Sequence, residues 1–265
     1  QPAHAGLHSV EVTNSRGSVS PGPARLTVET ALPRSDWLWG RQSTSLNDWT
    51  EAWAATTDAA GNAYLCGTYK GVVDFGTNRL IALAPSDMFV VKYSPEGAVV
   101  WARQGSATYT YYTDVIANAG YGVAVDSLGN TYVAGSFAGT NFPHGVYAIT
   151  SAGNVDISLV KYNPAGMLSN TWARRAGGTG WDAAQALAID RVGNLYLTGQ
   201  LGSDRADFGD NIARRTGGAD VFVAKYNSAG VKLWVRTAGG PQHDMGYGIA
   251  VDADGNAYVT GYFEG

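Results

Sequence analysis

The residues of this chain best suited to chemistry are carboxylates and aromatics gathered in a few short connections. Asp48, Asp114, Asp182 and Asp244 each stand close ahead of an apolar, strand-forming run. Carboxylates at corresponding points of a chain could converge on one cation, and a hard cation such as calcium takes oxygen ligands. The competing assignment is structural, with each Asp accepting hydrogen bonds from nearby backbone N–H groups. Recurrence favours the scaffold role, which leaves calcium as the one cofactor to consider. Tyr109, Tyr111 and Tyr112 crowd into Ser106-Ala-Thr-Tyr-Thr-Tyr-Tyr-Thr113. Tyrosine gives wide amphipathic contact at small entropic cost, which suits a sugar or a protein surface. Trp181 and His243 stand in connections of the same kind and complete the candidate ligand-binding set. The competing assignment is packing, with the three tyrosines covering the edge of a sheet and Trp181 and Trp49 filling the space between neighbouring sheets.

Enzyme chemistry is harder to assemble. A glycosidase needs two carboxyl groups about 5–9.5 Å apart at one site, and Glu51, Glu96 and Glu264 are scattered through different strands and turns. No Ser-His-Asp set, phosphate-cradling glycine loop or His-x-x-x-His pair is present. His144 and His243 lack a second His at ligand spacing. Cys66, within Tyr64-Leu-Cys-Gly67, has no neighbouring base and reads as a small buried hydrophobe.

The elements that must position these groups are repeats. Asp58-Ala-Ala-Gly-Asn-Ala-Tyr64, Asp126-Ser-Leu-Gly-Asn-Thr-Tyr132, Asp190-Arg-Val-Gly-Asn-Leu-Tyr196 and Asp252-Ala-Asp-Gly-Asn-Ala-Tyr258 begin 68, 64 and 62 residues apart. In register with them run Asp87-Met-Phe-Val-Val-Lys-Tyr93, Asp156-Ile-Ser-Leu-Val-Lys-Tyr162 and Asp220-Val-Phe-Val-Ala-Lys-Tyr226. A third series is Trp39-Gly-Arg41, Trp101-Ala-Arg103, Trp172-Ala-Arg174 and Trp234-Val-Arg236. Each unit holds four strand-like runs; in the third they are Ala186–Asp190, Asn194–Gln200, Val221–Tyr226 and Lys232–Thr237. Asp-x-x-Gly-Asn and Asn227-Ser-Ala-Gly230 supply the tight turns. Four antiparallel strands per ~60 residues, apolar on both faces, describe a blade of a β-propeller. Helical periodicity is absent. Lys92, Lys161 and Lys225, inside apolar strands, need partners, and the repeated Asp is the expected one.

These segments, with Trp-x-Arg-x-x-Gly-Gly, resemble the bacterial SBBP-type β-propeller repeat across residues 35–265. The second unit departs from it, with Asn141-Phe-Pro where its neighbours have Asp74-Phe-Gly and Asp207-Phe-Gly. The resemblance implies a secreted or cell-surface bacterial protein and no particular reaction. Gly6–Gly17 followed by Ala24–Val28 resembles the last hairpin of a bacterial Ig-like domain. The expected organisation is therefore all-β: a truncated Ig-like hairpin over 1–30, a linker over 31–36, and an incomplete β-propeller of about three and a half four-stranded blades over 37–265. Trp37–Arg41 matches an outermost strand, so further blades and Ig-like strands of the same parent chain are expected partners.

Composition agrees. The 265 residues are 45% hydrophobic, enough for a sizeable core, and only 15% charged, with 35 Gly. A net charge of −4 argues against a phosphate-tracking nucleic-acid binder, and one Cys excludes a disulfide framework. No apolar run reaches the ~20 residues of a membrane span. In an up-and-down blade the two long connections share one face and the two tight turns the other. The expectation is a non-catalytic module that contacts glycan or protein through the long-connection face. The alternative is part of a propeller-fold glycosidase or lyase whose catalytic groups lie partly outside this segment.

Overall fold

Every regular element among the described residues is a β-strand. The computed structural model describes residues 12–14, 17–19, 39–46, 49–108, 118–140, 142–143, 148–168 and 172–264. The chain divides into two units, Gln1–Leu38 and Trp39–Gly265. In the first, β1 (Val12–Asn14) pairs antiparallel with β2 (Gly17–Val19), with Asn14 opposite Gly17. The stretch Ala24–Val28, read above as the second hairpin strand, and the linker 31–36 lie outside the described residues.

The second unit is a propeller-like succession of antiparallel sheets. After β3 (Thr44–Leu46) come β4 (Thr50–Thr57), β5 (Ala63–Tyr69), β6 (Val72–Phe75), β7 (Asn78–Ile81), β8 (Asp87–Tyr93) and β9 (Val99–Gly105). The second blade comprises β10 (Ala119–Val125), β11 (Thr131–Phe137), β12 (Asp156–Tyr162) and β13 (Ala173–Ala176). The third has β14 (Asp182–Ile189), β15 (Leu195–Leu201), β16 (Ala206–Asp207), β17 (Ile212–Ala213), β18 (Asp220–Tyr226) and β19 (Lys232–Ala238). The last pair is β20 (Asp244–Val251) and β21 (Ala257–Phe263). Sheet orders β4-β5-β8-β9, β10-β11-β12-β13 and β14-β15-β18-β19 are simple meanders, and β20-β21 repeats the first two strands.

The turns are local chemistry. Gly61, Gly129, Gly193 and Gly255 all have φ between 80° and 87°, the left-handed conformation that only glycine adopts cheaply. The preceding Asp accepts from the backbone two and four residues on, as Asp190 Oδ1 does from Val192 N (3.0 Å) and Asn194 N (2.8 Å). The middle strands are buried on both faces because blades stack face to face. Tyr64, Cys66, Val90 and Trp101 of blade one pack with Val123, Val133 and Val160 of blade two. Tyr132, Leu159 and Trp172 pack with Leu197, Phe222 and Ala224 of blade three. The connection from second to third strand carries a miniature hairpin (β6–β7, β16–β17), with Phe75 and Phe208 buried beneath it against Phe89 and Phe222. In blade two, where the motif departs to Asn141-Phe-Pro, Phe142 takes the same place, stacked on Phe137 at 4.9 Å.

The Trp-x-Arg series is the clamp between blades. Trp101 Nε1 donates to Pro164 O (3.1 Å) and Arg103 Nε to Gly166 O (2.6 Å), both in the β12–β13 turn of the next blade. Trp172 and Arg174 repeat this on Ser228 O (3.3 Å) and Gly230 O (2.8 Å). Trp39 and Arg41 do the same to Pro95 O (2.9 Å) and Gly97 O (2.6 Å) of blade one. The gripped glycine must be glycine: a Cβ on Gly166 would lie 2.6 Å from Trp101 Cδ2.

Candidate functional site

The face that carries the long connections is preformed by backbone bonding. Asp182 N donates to Val155 O (2.8 Å) and Asp244 N to Ala219 O (2.7 Å), tying each connection into an inner strand to the connection of the preceding blade. Gly177 and Asp207 exchange a further pair of bonds (3.1 and 2.7 Å), as do Thr108 and Thr140 (2.8 and 3.0 Å). Trp181 and His243 both stand on this face and are solvent-exposed, Trp181 at 36%. Tyr109, Tyr111, Tyr112, Asp48, Asp114 and His144 lie outside the described residues.

Asp182 and Asp244 do not line an open mouth. Both are buried and cap loops: Asp182 Oδ2 accepts from Gly178 N (2.8 Å) and Ser203 Oγ (2.5 Å), and Oδ1 from Ser203 N (3.1 Å). Asp244 accepts from Gly240 N (2.6 Å) and Glu264 N (3.0 Å). The structural counterpart in blade two is Asn118, whose Oδ1 accepts from Ala138 N (3.3 Å). In blade one it is Thr50, since Trp49 O bonds Lys70 N as Trp181 O bonds Gly202 N. The run Asp48, Asp114, Asp182, Asp244 is therefore not one structural position. Unequal connection lengths let the spacing drift, and no carboxylate recurs there in every blade. Among the described residues, no three His, Cys, Asp or Glu side chains converge to hold a metal.

A second series of buried carboxylates faces this position from the preceding blade, and each junction settles the contact differently. Asp87 Oδ1 accepts from Asn118 Nδ2 (3.3 Å). Asp156 Oδ2 is met by Arg175 Nη1 (3.2 Å), and Nη2 of the same guanidinium reaches Asp207 Oδ2 (3.4 Å). A Cβ on Gly177 would lie 2.5 Å from Asp156 Oδ1 and 2.9 Å from Asp182 Oδ2, so glycine is what leaves the two carboxylates room. Asp220 takes Thr216 N (2.9 Å) and its hydroxyl (3.0 Å), with Asp244 across Gly239. Burial raises the Asp87 and Asp156 carboxyls to about 6, against the pull of their hydrogen bonds.

On the tight-turn rim, Lys92 and Lys225 reach Asp58 and Asp190 at 4.0 and 3.9 Å, while Lys161 donates instead to Ser228 O (3.3 Å). What all three share is a tyrosine face: Lys92 lies over Tyr64, Lys161 over Tyr132 and Lys225 over Tyr196, at 5.0, 5.4 and 4.7 Å. Burial opposes ionisation of Asp58, but bonds from Asn62 and Tyr64 outweigh it and hold the carboxyl below its usual value.

One feature escaped the sequence reading. Each inner strand carries a β-bulge, between Ala52/Ala54, Gly120/Gly122, Ala184/Ala186 and Gly246/Gly248. The bulged residues are Trp53, Tyr121, Gln185 and Tyr247, and bulges re-aim side chains. Trp53 and Tyr121 meet edge to face at 5.6 Å, and Trp53 Nε1 donates to Thr68 Oγ1 (3.3 Å). The signal was present as a larger residue between two small ones at one point of every repeat.

Fold and site together define an all-β, propeller-like repeat protein. Residues 101–143 and 233–262 match the SBBP beta-propeller repeat. Each match starts at an outermost strand and runs into the next blade, so the sequence repeat straddles the structural one. The chain is 26% identical to an uncharacterized WD repeat-containing protein of Acanthamoeba polyphaga mimivirus over 85% of its own length and 19% of the relative's. It is 29% identical to the regulatory protein FlaEY of Caulobacter vibrioides, over 66% and 18% respectively. The chain thus spans about a fifth of the length of these curated relatives.

Proposed function

We propose that this chain is a non-catalytic binding and scaffold module of a secreted or cell-surface protein, which contacts glycan or protein through its long-connection face. The observation that carries the reading is the backbone bonding of Val155 to Asp182 and of Ala219 to Asp244, which holds adjacent connections as one preformed surface. A rigid face loses little entropy on binding. The WD-repeat relative supports a scaffold role, and the SBBP match supports a repeat surface rather than a unique catalytic pocket.

The test is a glycan array and a panel of cell-surface proteins, probed with the chain and two sets of variants. Trp181→Ala with His243→Ala, and Tyr109, Tyr111 and Tyr112→Ala, alter the long-connection face. Leu128→Ser with Val192→Ser alters the tight-turn rim, where both side chains are exposed (77% and 80%). Binding lost in the first sets at unchanged melting temperature, and kept in the last, is expected. The reverse pattern overturns the face assignment. Turnover of a polysaccharide that disappears in Glu51→Gln overturns the non-catalytic reading.

A further inference from the structure

The bulges of the first three blades place their extra residue, Trp53, Tyr121 or Gln185, third or fourth in its inner strand, next to the long connection that feeds it. In blade one Glu51 pairs directly with Thr68, so both lie on the face that carries Tyr64 and Cys66 into blade two. Trp53 joins them there, with Nε1 bonded to the Thr68 hydroxyl (3.3 Å) and its ring edge-on to Tyr121 of blade two at 5.6 Å. Thr68 is fully buried, yet Trp53 is 47% exposed. The bulge lifts the indole out of the junction onto the inner wall, so this exposure does not come from the opposite face of β4. Glu51 is exposed beside it and its charge reaches the Tyr121 hydroxyl. In blade three Gln185 and Gln200 take the places of Trp53 and Thr68. Both are half-buried, and neither amide has a hydrogen-bond partner among the described residues.

We propose that Trp53, Tyr121, Glu51 and Gln185 form a saccharide subsite on the inner wall, just inside the long-connection face. It rests on the glycan-binding function proposed for that face and narrows the ligand from glycan or protein to a sugar. Because the indole N–H is already engaged by Thr68, what Trp53 presents is its apolar ring, held in one orientation by Thr68 and Tyr121. A pyranose fits this set: its C–H face stacks on the ring while its hydroxyls bond to the Glu51 carboxylate and the glutamine amides. An apolar peptide side chain would cover those polar groups without bonding them, at a cost. A quaternary ammonium ligand favours aromatic faces gathered around it as a cage, whereas Trp53 and Tyr121 meet edge to face.

The test is calorimetric binding of maltohexaose, cellohexaose, chitohexaose and xylohexaose, together with any glycan captured on the array. Trp53→Ala weakens the best of them about tenfold or more, the scale of an aromatic anchor at the centre of an interface. Trp53→Phe keeps a platform without the Thr68 bond and weakens binding less. Glu51→Gln combined with Gln185→Ala changes polar groups that are exposed or half-buried, and lowers affinity at unchanged melting temperature; this variant decides the matter should Trp53→Ala fail to fold. A glycan lost in the Trp53 and Glu51 variants, but kept in Trp181→Ala with His243→Ala, supports the subsite and not the connections. A glycan lost only in Trp181→Ala with His243→Ala overturns the subsite and leaves the long-connection face standing. A protein bound through the connections with no saccharide bound, or choline bound in preference to every saccharide, also overturns the subsite. So does saccharide affinity that is unchanged in both Trp53→Phe and the Glu51→Gln, Gln185→Ala variant. No ligand of any kind on the array, the protein panel or in calorimetry overturns the subsite and the binding function together.

Discussion

Truncating Trp101 to Ala tests whether the blades are held together by the clamp or merely by general apolar contact. The indole is 4% exposed and lies between Tyr64 of its own blade and Tyr162 of the next, at 6.1 and 6.5 Å. Removing a buried Trp costs about 3–5 kcal/mol in transfer and cavity energy. Its N–H bond to Pro164 O adds about 1 kcal/mol. The Arg103 guanidinium, 5.9 Å from the ring, adds a few tenths more. The expected loss is about 4–6 kcal/mol, a large share of the ~5–15 kcal/mol that domains hold. At about 2–4 °C per kcal/mol this is a drop of roughly 10–20 °C. Urea unfolding followed by near-ultraviolet circular dichroism reads it directly. Trp101→Phe keeps most of the ring and loses the donor, so a loss of about 1–2 kcal/mol is expected. Among the described residues no turn meets Trp234, which touches only Tyr196 of the aromatic rings, so Trp234→Ala in this 265-residue chain should cost less than half as much. Equal losses at positions 101 and 234, or a Trp101→Ala loss under about 1 kcal/mol, refute the clamp as the source of blade-to-blade stability.

Asp87 and Asp156 titrate near 6 in the fold and near 3.8 unfolded, so the fold binds extra protons between those values. Stability from these groups is fully present below pH ~3.8 and lost as pH rises through 6, so the melting temperature should climb on acidification from pH 7 to 4.5. Below that, Asp58 and Asp190, whose carboxyls are held low, give the opposite slope; a steady fall from pH 7 downward counts against this. Cys66 is fully buried with its thiol raised by desolvation, so a disulfide reagent should react with it only in denaturant. Reaction at the native rate of a free thiol contradicts its burial. Gly209→Ala, at φ 98° in open space, should cost about 1–2 kcal/mol of backbone strain. Gly166→Ala, at φ 71° against the Trp101 ring, should cost at least twice as much by urea midpoint; equal costs argue against the glycine's role in the clamp.

How much could be read in advance follows the range of the interactions. The Asp-x-x-Gly-Asn turns were legible because an Asp, its two backbone donors and a positive-φ glycine lie within a few residues. So were the meander order and the shared face of the long connections. The Trp-x-Arg series was visible as a motif, but its purpose was not, because Trp39 finds its acceptor 56 residues away. The lysines were expected to need Asp, yet the constant partner is the tyrosine face one strand over, a cross-strand register set by hydrogen bonding. The acidic series was misaligned because the connection into blade two is longer than the others, and spacing cannot show that Asn118 and Thr50 take the place of Asp182. The bulges were missed because alternation counts residues and a bulge adds one.

Each repeat of this protein carries both halves of one joint, a gripping Trp-x-Arg pair and a glycine turn shaped to be gripped. A stretch of gene duplicated in frame therefore arrives with its own means of attachment at both ends. Unequal crossing-over between repeats would add or delete whole blades without stranding an unmatched surface, provided that the breakpoints keep the pair and the turn in register. The unit of inheritance and the unit of folding need not coincide, and here they are offset by one strand: the match at 101–143 begins on the last strand of one blade and ends in the next. That offset lets each new copy bring the fastening for its successor, so the number of blades is open to change while the joint between them is not.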